Sequence, residues 1–160
     1  MRGRWNFWVV VGLLPVFHFL LHVGFGAAGW APDLLAVALL LAARELAMGT
    51  SAAVGCSLGL LEDAFSALAF GANAVALTLV GILGARSRDL FMGDSMVFFV
   101  FYIAAGKWLK DLVHWLASPD EVRGVPARTL LVEAPVAAVY AALVGAALVF
   151  VFGDSKDATR

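Results

Sequence analysis

The chain has 160 residues, of which 62% are hydrophobic and only 14% are charged, and its formal net charge is −1. A water-soluble domain of this length is about half apolar, and it has too little interior to bury a much larger apolar share. The composition therefore predicts an integral membrane protein, and the near-zero net charge gives no electrostatic basis for binding nucleic acid.

Six apolar segments follow one another along the chain, and most approach the ~20 residues that a membrane-spanning helix needs. They cover about 5–26, 32–48, 50–66, 70–86, 93–117 and 128–152. We expect an all-α integral membrane bundle of about six transmembrane helices, forming a single domain over residues 1–160. The second and third segments are separated by almost nothing, which predicts a tight antiparallel hairpin.

The first segment imitates a secretory signal peptide, because the basic start MRGR precedes an apolar run. We interpret it as a retained helix, since the run from Trp5 to about Phe25 is long enough to span a membrane. The positive-inside rule then sets the orientation. With the N-terminus inside, seven Lys and Arg residues fall on the inner side and four on the outer side. We therefore expect a multi-pass protein with both termini in the cytoplasm.

The third segment carries a ridge of small residues that ends in an acid. The ridge residues recur every four positions and share one helix face: Ser51, Gly55, Gly59 and Asp63. Small residues on one face let a second backbone approach closely, which is how helices associate in lipid. Three interpretations of Glu62 and Asp63 stay open. Both reach interfacial water, or Asp63 accepts hydrogen bonds from a neighbouring helix N-terminus near Gly71 or Asn73 while Glu62 stays free to reach water. The third is proton relay or ion binding, for which the sequence offers no second acid at a matching depth in the membrane.

The fifth segment ends in a polar stripe. Its members fall at i, i+3, i+4 and i+7: Lys107, Lys110, Asp111 and His114. Trp108 and Trp115 flank it as interfacial aromatics do. We interpret the stripe as lying at the outer headgroups, with contact to a partner protein or lipid headgroup as the alternative.

Cofactor motifs are weak in this sequence. His22 and His114 belong to different segments, so the pair offers the ligand set of a bis-histidine haem, but three histidines will often produce such a pair by chance. No phosphate-binding loop, zinc spacing or nucleophile–base motif occurs. We expect no cofactor, no metal and no enzymatic activity.

Residues 55–88, GCSLGLLEDAFSALAFGANAVALTLVGILGARSR, resemble the rod shape-determining protein MreD family of bacteria. That family shows glycines before a Gly-Leu-Leu-x-Asp-x-x-Ser stretch, then a loop with a glycine and a helix that ends in leucines, glycine and basic residues. The matching positions are Gly59, Leu60, Leu61, Asp63, Ser66, Gly71, Gly81, Gly84, Arg86 and Arg88. The resemblance implies a fold similar to the six-helix substrate-binding components of energy-coupling-factor vitamin transporters.

The same resemblance implies a function in cell-shape control and peptidoglycan synthesis at the bacterial inner membrane. An MreD-like protein is a non-enzymatic scaffold of the elongation (rod) complex, which binds an MreC-like single-span protein and works with MreB and a RodA-type glycosyltransferase with its transpeptidase. The helix-packing or partner-binding residues are then Gly55, Gly59, Asp63, Gly71 and Gly81. Membrane lipids and further copies of the chain are the other expected partners. The alternative function is that of a substrate-binding membrane component of a vitamin transporter.

Overall fold

A computed structural model of the protein describes residues 2–24, 31–66, 68–87, 96–123 and 125–152. All regular secondary structure in these ranges is helical, which confirms the all-α prediction. The long helices coincide with the six predicted segments: α1 Arg2–Phe19, α2 Leu34–Ala43, α3 Met48–Asp63, α4 Ala72–Ser87, α5 Met96–Ala117 and α7 Ala134–Phe152. A single turn, α6 (Pro126–Arg128), lies before α7. π-helical turns extend α1 over Leu20–Gly24 and precede α7 over Thr129–Glu133.

Helix α2 is the centre of the bundle. All ten of its residues are buried, as is typical of a helix that is apolar all round. Asp33 caps its N-terminus, because the carboxylate accepts a hydrogen bond from the Ala36 N–H at 3.0 Å. At 1.5 Å per residue α2 is ~15 Å long, about half of a bilayer core, so it is shorter than the predicted segment 32–48. The helix stops where the sequence turns polar, at Arg44 and Glu45, which are both exposed.

The helices pack as antiparallel neighbours, with α3 on α4, α5 on α7 and α1 on α2. The expected hairpin of the second and third segments is present only as a short connection, since α3 packs mainly on α4 and touches α2 much less. Tyr102 on α5 joins the centre, because its hydroxyl donates a hydrogen bond to the Leu40 carbonyl oxygen of α2 at 2.9 Å.

The outer faces of the bundle are apolar. Large hydrophobic side chains are exposed on every long helix except α2, for example Val16 (61%) on α1, Val97 (75%) on α5 and Val136 (67%) on α7. Exposed apolar area on this scale is rare in soluble monomers and marks contact with lipid or with another protein. Among the described residues two helices are long and apolar enough to cross a membrane, over Trp5–His22 and Thr129–Val151. Helix α5 is also long but carries Lys107, Lys110 and Asp111.

The two ends of the bundle differ in chemistry. Because neighbouring helices are antiparallel, α1, α3 and α5 finish at the same end at which α2, α4 and α7 begin. Side chains from this end meet one another, as the contacts of His18 and Lys110 with Asp33 show. We call it the polar end, and the candidate site lies there.

Candidate functional site at the polar end of the bundle

The predicted ridge of α3 is a packing seam with α4. The buried residues of α3 are Ser51, Gly55, Gly59 and Asp63, the four that the four-residue spacing predicts. A Cβ at Gly59 would collide with the backbone of Ala74, and one at Gly55 would collide with the Leu77 carbonyl oxygen. From the other side, a Cβ at Gly81 would lie only 2.5 Å from the Ser51 carbonyl oxygen. The absence of side chains therefore lets the two backbones touch, as expected for helix association in lipid.

Asp63 closes this seam at the polar end. The residue is 1% exposed, and its two carboxylate oxygens accept hydrogen bonds from the backbone N–H groups of Asn73 at 3.1 Å and Ala74 at 2.9 Å. These N–H groups belong to the first turn of α4, where intrahelical acceptors are lacking and the helix dipole favours a negative charge. The interpretation of Asp63 as an acceptor for a helix N-terminus near Asn73 is confirmed, and the interpretation that it reaches water is wrong.

Gly71 plays a different part from the other predicted packing glycines. A Cβ there would meet no described atom within 4 Å, so close packing does not require the glycine. Its φ of 94° lies in the left-handed region, which side chains disfavour. Gly71 thus shapes the turn that aims the first N–H groups of α4 at Asp63.

The polar stripe of α5 faces the interior of the bundle. Lys107 is 6% exposed and Lys110 is 4% exposed, so the expectation that these side chains point outward to the headgroups is wrong, while the depth of the stripe in the membrane stays a prediction. A buried ammonium group is costly unless it is paired. Lys110 Nζ lies 2.6 Å from Asp33 Oδ2, and Lys107 pairs with Asp111 one turn further on and lies 3.5 Å from Asp33 Oδ2. The carboxylates of Asp33, before α2, and of Asp111, on α5 itself, therefore compensate both buried ammonium groups.

Glu62 joins Asp33, Lys107, Lys110 and Asp111 in one set of paired charges, which we call the network. Its carboxylate oxygens lie 3.0 and 3.1 Å from Lys110 Nζ, so Glu62 is paired rather than free, although 22% of its side chain remains exposed. Lys110 therefore joins the start of α2, through Asp33, to the end of α3, through Glu62. Its position 48 residues after Glu62 explains why sequence spacing did not suggest the pair.

Asp33 is the site residue that the sequence interpretation did not include. The capping role of Asp33 accounts for one of its carboxylate oxygens, which accepts from the Ala36 N–H. The second oxygen accepts from Lys110 and lies close to Lys107. The available signal was the position of Asp33 at the start of the second segment, since the end of the fifth segment, with Lys107 and Lys110, falls at the same end of an alternating bundle.

A cavity of about 990 Å³ opens beside this network. All three histidines line it, together with the network residues and the side chains of Asn73 and Tyr140. His18 stacks on His22 with ring centroids 4.0 Å apart, and His22 Nδ1 lies 3.0 Å from the His18 carbonyl oxygen. Both π-helical turns contribute to the wall, through His22 and Glu133, and such turns recur at functional sites. The polar stripe residues Asp111 and His114 belong to the same wall.

The described residues of the cavity form no arrangement typical of a metal centre. Within the described ranges no group of three or more His, Cys, Asp or Glu residues is placed to hold a metal ion. The two histidines considered for haem, His22 and His114, line one cavity, but His22 is stacked on His18 rather than presented alone.

Comparisons with protein-family models, with curated proteins and with solved structures find no match for this chain.

Proposed function

We propose that the protein is a multi-pass membrane protein with both termini in the cytoplasm and the polar end on the outer side. The apolar outer faces, the two helices of membrane-spanning length and the seven-to-four distribution of basic residues support this placement. The charged groups of the polar end are paired inside the bundle, which is how charges persist in a membrane protein.

We further propose that it is a non-enzymatic MreD-like scaffold of the elongation complex, which binds an MreC-like single-span protein. The observation that carries this proposal is the α3–α4 hairpin. The residues that make the sequence resemble the family include Gly59, Asp63 and Gly81, and they build one rigid pair of helices rather than a reactive site.

The outward face of this hairpin suits a helical partner. Leu61, Val75, Leu79 and Leu83 are between 40% and 51% exposed, so a row of apolar side chains lies on a rigid support. A single transmembrane helix packs on such a surface by shape, because lipid offers no hydrophobic drive for association.

Copurification tests the scaffold proposal. The protein is expressed with the MreC-like protein of the same genome, and the amount of partner recovered in detergent is measured. We expect Val75→Trp and Leu79→Trp to reduce recovery by disturbing the shape of the hairpin face. The matched controls, Val139→Trp and Leu143→Trp on α7, alter residues of similar exposure (55% and 58%) and should leave recovery unchanged. Loss of the partner in the α7 variants alone would reject the hairpin as its binding surface.

The polar-end cavity favours a second candidate function, the substrate-binding component of a membrane transporter. Its volume of about 990 Å³ is at the upper end of the range for small-molecule sites, and charged side chains are available to orient a ligand. Recovery of an energising transmembrane component, in place of an MreC-like protein, in the same copurification would favour this candidate.

A further inference from the structure

The network that lines the polar-end cavity carries an excess of negative charge. Among the described lining residues, three carboxylates face two ammonium groups: Asp33, Glu62 and Asp111 against Lys107 and Lys110. A fourth lining carboxylate, Glu133, is paired outside the network with Arg128 at 2.8 Å. The connecting segments 25–30, 67 and 124 contain no charged residue. With neutral histidines the network therefore lacks one positive charge.

Two histidines that line the cavity each have a ring nitrogen without a hydrogen-bond partner among the described residues. His18 is 3% exposed, and its Nδ1 atom has no hydrogen-bond partner among the described residues. The same atom lies 4.0 Å from Asp33 Oδ1, which is too far for a hydrogen bond. His114 Nδ1 is likewise buried without a hydrogen-bond partner in the part of the chain that the structure describes. A buried polar atom left without a partner is costly, and a bound polar group removes that cost.

The remaining wall is apolar and partly aromatic. Phe65, Val136, Ala137 and Tyr140 line the cavity, and Phe65 and Tyr140 are 64% and 45% exposed. Aromatic faces attract cations, and the aliphatic side chains suit a hydrocarbon body. The cavity, at about 990 Å³, is far larger than a single metal ion needs. Its negative charge and its apolar wall therefore indicate an organic ligand.

We infer that the polar-end cavity binds an amphiphilic organic cation, with a primary ammonium group directed at Asp111 and the histidines and an apolar body against the aromatic wall. An anion is disfavoured, because the network has three carboxylates for two ammonium groups. Asp111 pairs with Lys107 through Oδ1, and its side chain is still 22% exposed, so its second carboxylate oxygen is the atom offered to the ligand. If the ligand is a transported substrate, the inference rests on the second candidate function, that of a transporter's substrate-binding component. It does not depend on the scaffold role, which the copurification tests separately.

Calorimetric titration of the purified full-length protein in detergent tests the inference with three probes that have the same alkyl chain. Hexylammonium, hexanol and heptanoate share a hexyl group and differ in charge at pH 7. We expect saturable binding of hexylammonium, and at least about tenfold weaker binding of the other two, because a partly desolvated charge pair contributes ~1.4 kcal/mol or more, which is about tenfold in affinity. Equal binding of all three probes, or no binding of hexylammonium, would overturn the inference.

Two variants locate the site. Asp111→Asn brings the network to zero net charge and should weaken hexylammonium binding about tenfold or more. Asp120→Asn is the matched control, since its carboxylate is 89% exposed and pairs with Arg123 outside the cavity wall, and it should bind as the unaltered protein does. Ala137→Trp fills the cavity without changing its charge, and it should abolish binding. This variant tests the site independently if Asp111→Asn does not fold. Retention of full affinity in either cavity variant would place the ligand elsewhere.

Discussion

At the scale of single residues, Asp63 shows how one carboxylate joins two helices. It accepts hydrogen bonds from two backbone N–H groups in the first turn of α4 and is almost fully buried. Asp63→Ala should lower the free energy of unfolding by roughly 1–3 kcal/mol, because it leaves both N–H groups without an acceptor. Asp63→Asn should cost less, because its amide oxygen still accepts. Thermal unfolding in detergent measures both changes, and equal stability of Asp63→Ala and the unaltered protein would contradict the assigned role.

Glu62 leads to a second prediction at this scale, which reverses the expectation from sequence. Both of its oxygens lie within 3.1 Å of the buried Lys110 Nζ, so Glu62→Gln removes a charge that offsets the ammonium group. We expect a loss of about 1–2 kcal/mol in unfolding free energy, moderated by the 22% exposure of the Glu62 side chain. Glu133→Gln, at a side chain 52% exposed, should change stability by less than about 0.5 kcal/mol. Similar effects of the two substitutions would argue against the network.

At the scale of secondary-structure elements, close contact between the backbones of α3 and α4 depends on their glycines. Gly55→Ala and Gly59→Ala should each lower unfolding free energy by roughly 1–3 kcal/mol, because the added methyl group meets fixed backbone atoms rather than a movable side chain. Gly12→Ala on α1 is the control: a Cβ there meets nothing within 4 Å, and alanine is the better helix former. Chemical denaturation of the three variants measures the difference, and a destabilised Gly12→Ala would show a general effect of the substitution.

At the scale of the whole molecule, the antiparallel helices place Asp120 and Glu45 at opposite ends of the bundle. In a Cys56→Ala background, a cysteine at position 120 should react with a membrane-impermeant maleimide on intact spheroplasts. A cysteine at position 45 should react only after the membrane is opened, because we place that end in the cytoplasm. Labelling is read from the mass of the protein on a gel. The reverse pattern would invert the proposed topology.

The amino-acid sequence by itself determined the helices and one of their contacts. Apolar segments with polar interruptions fix where helices form, since in an apolar environment each backbone must satisfy its own hydrogen bonds. The four-residue spacing of Gly55, Gly59 and Asp63 fixes one face of α3, because helix geometry alone decides which residues share a face. A carboxylate at the end of that face made the acceptor role one of the open interpretations, since the start of α4 follows in the chain and its N–H groups lack acceptors. The packed structure selects that role, because it brings the Asn73 and Ala74 N–H groups to Asp63.

Only the tertiary structure decided which way the α5 stripe points and what it meets. Helical periodicity aligns Lys107 and Lys110 on one face but leaves open whether that face turns outward to headgroups or inward to the bundle. The answer depends on Asp33 and Glu62, which lie 77 and 48 residues away from Lys110 and were placed beside it by the packing of three helices. Local spacing carries no information about such pairs, because their charges meet only when separate helices pack, and the polar cavity exists for the same reason.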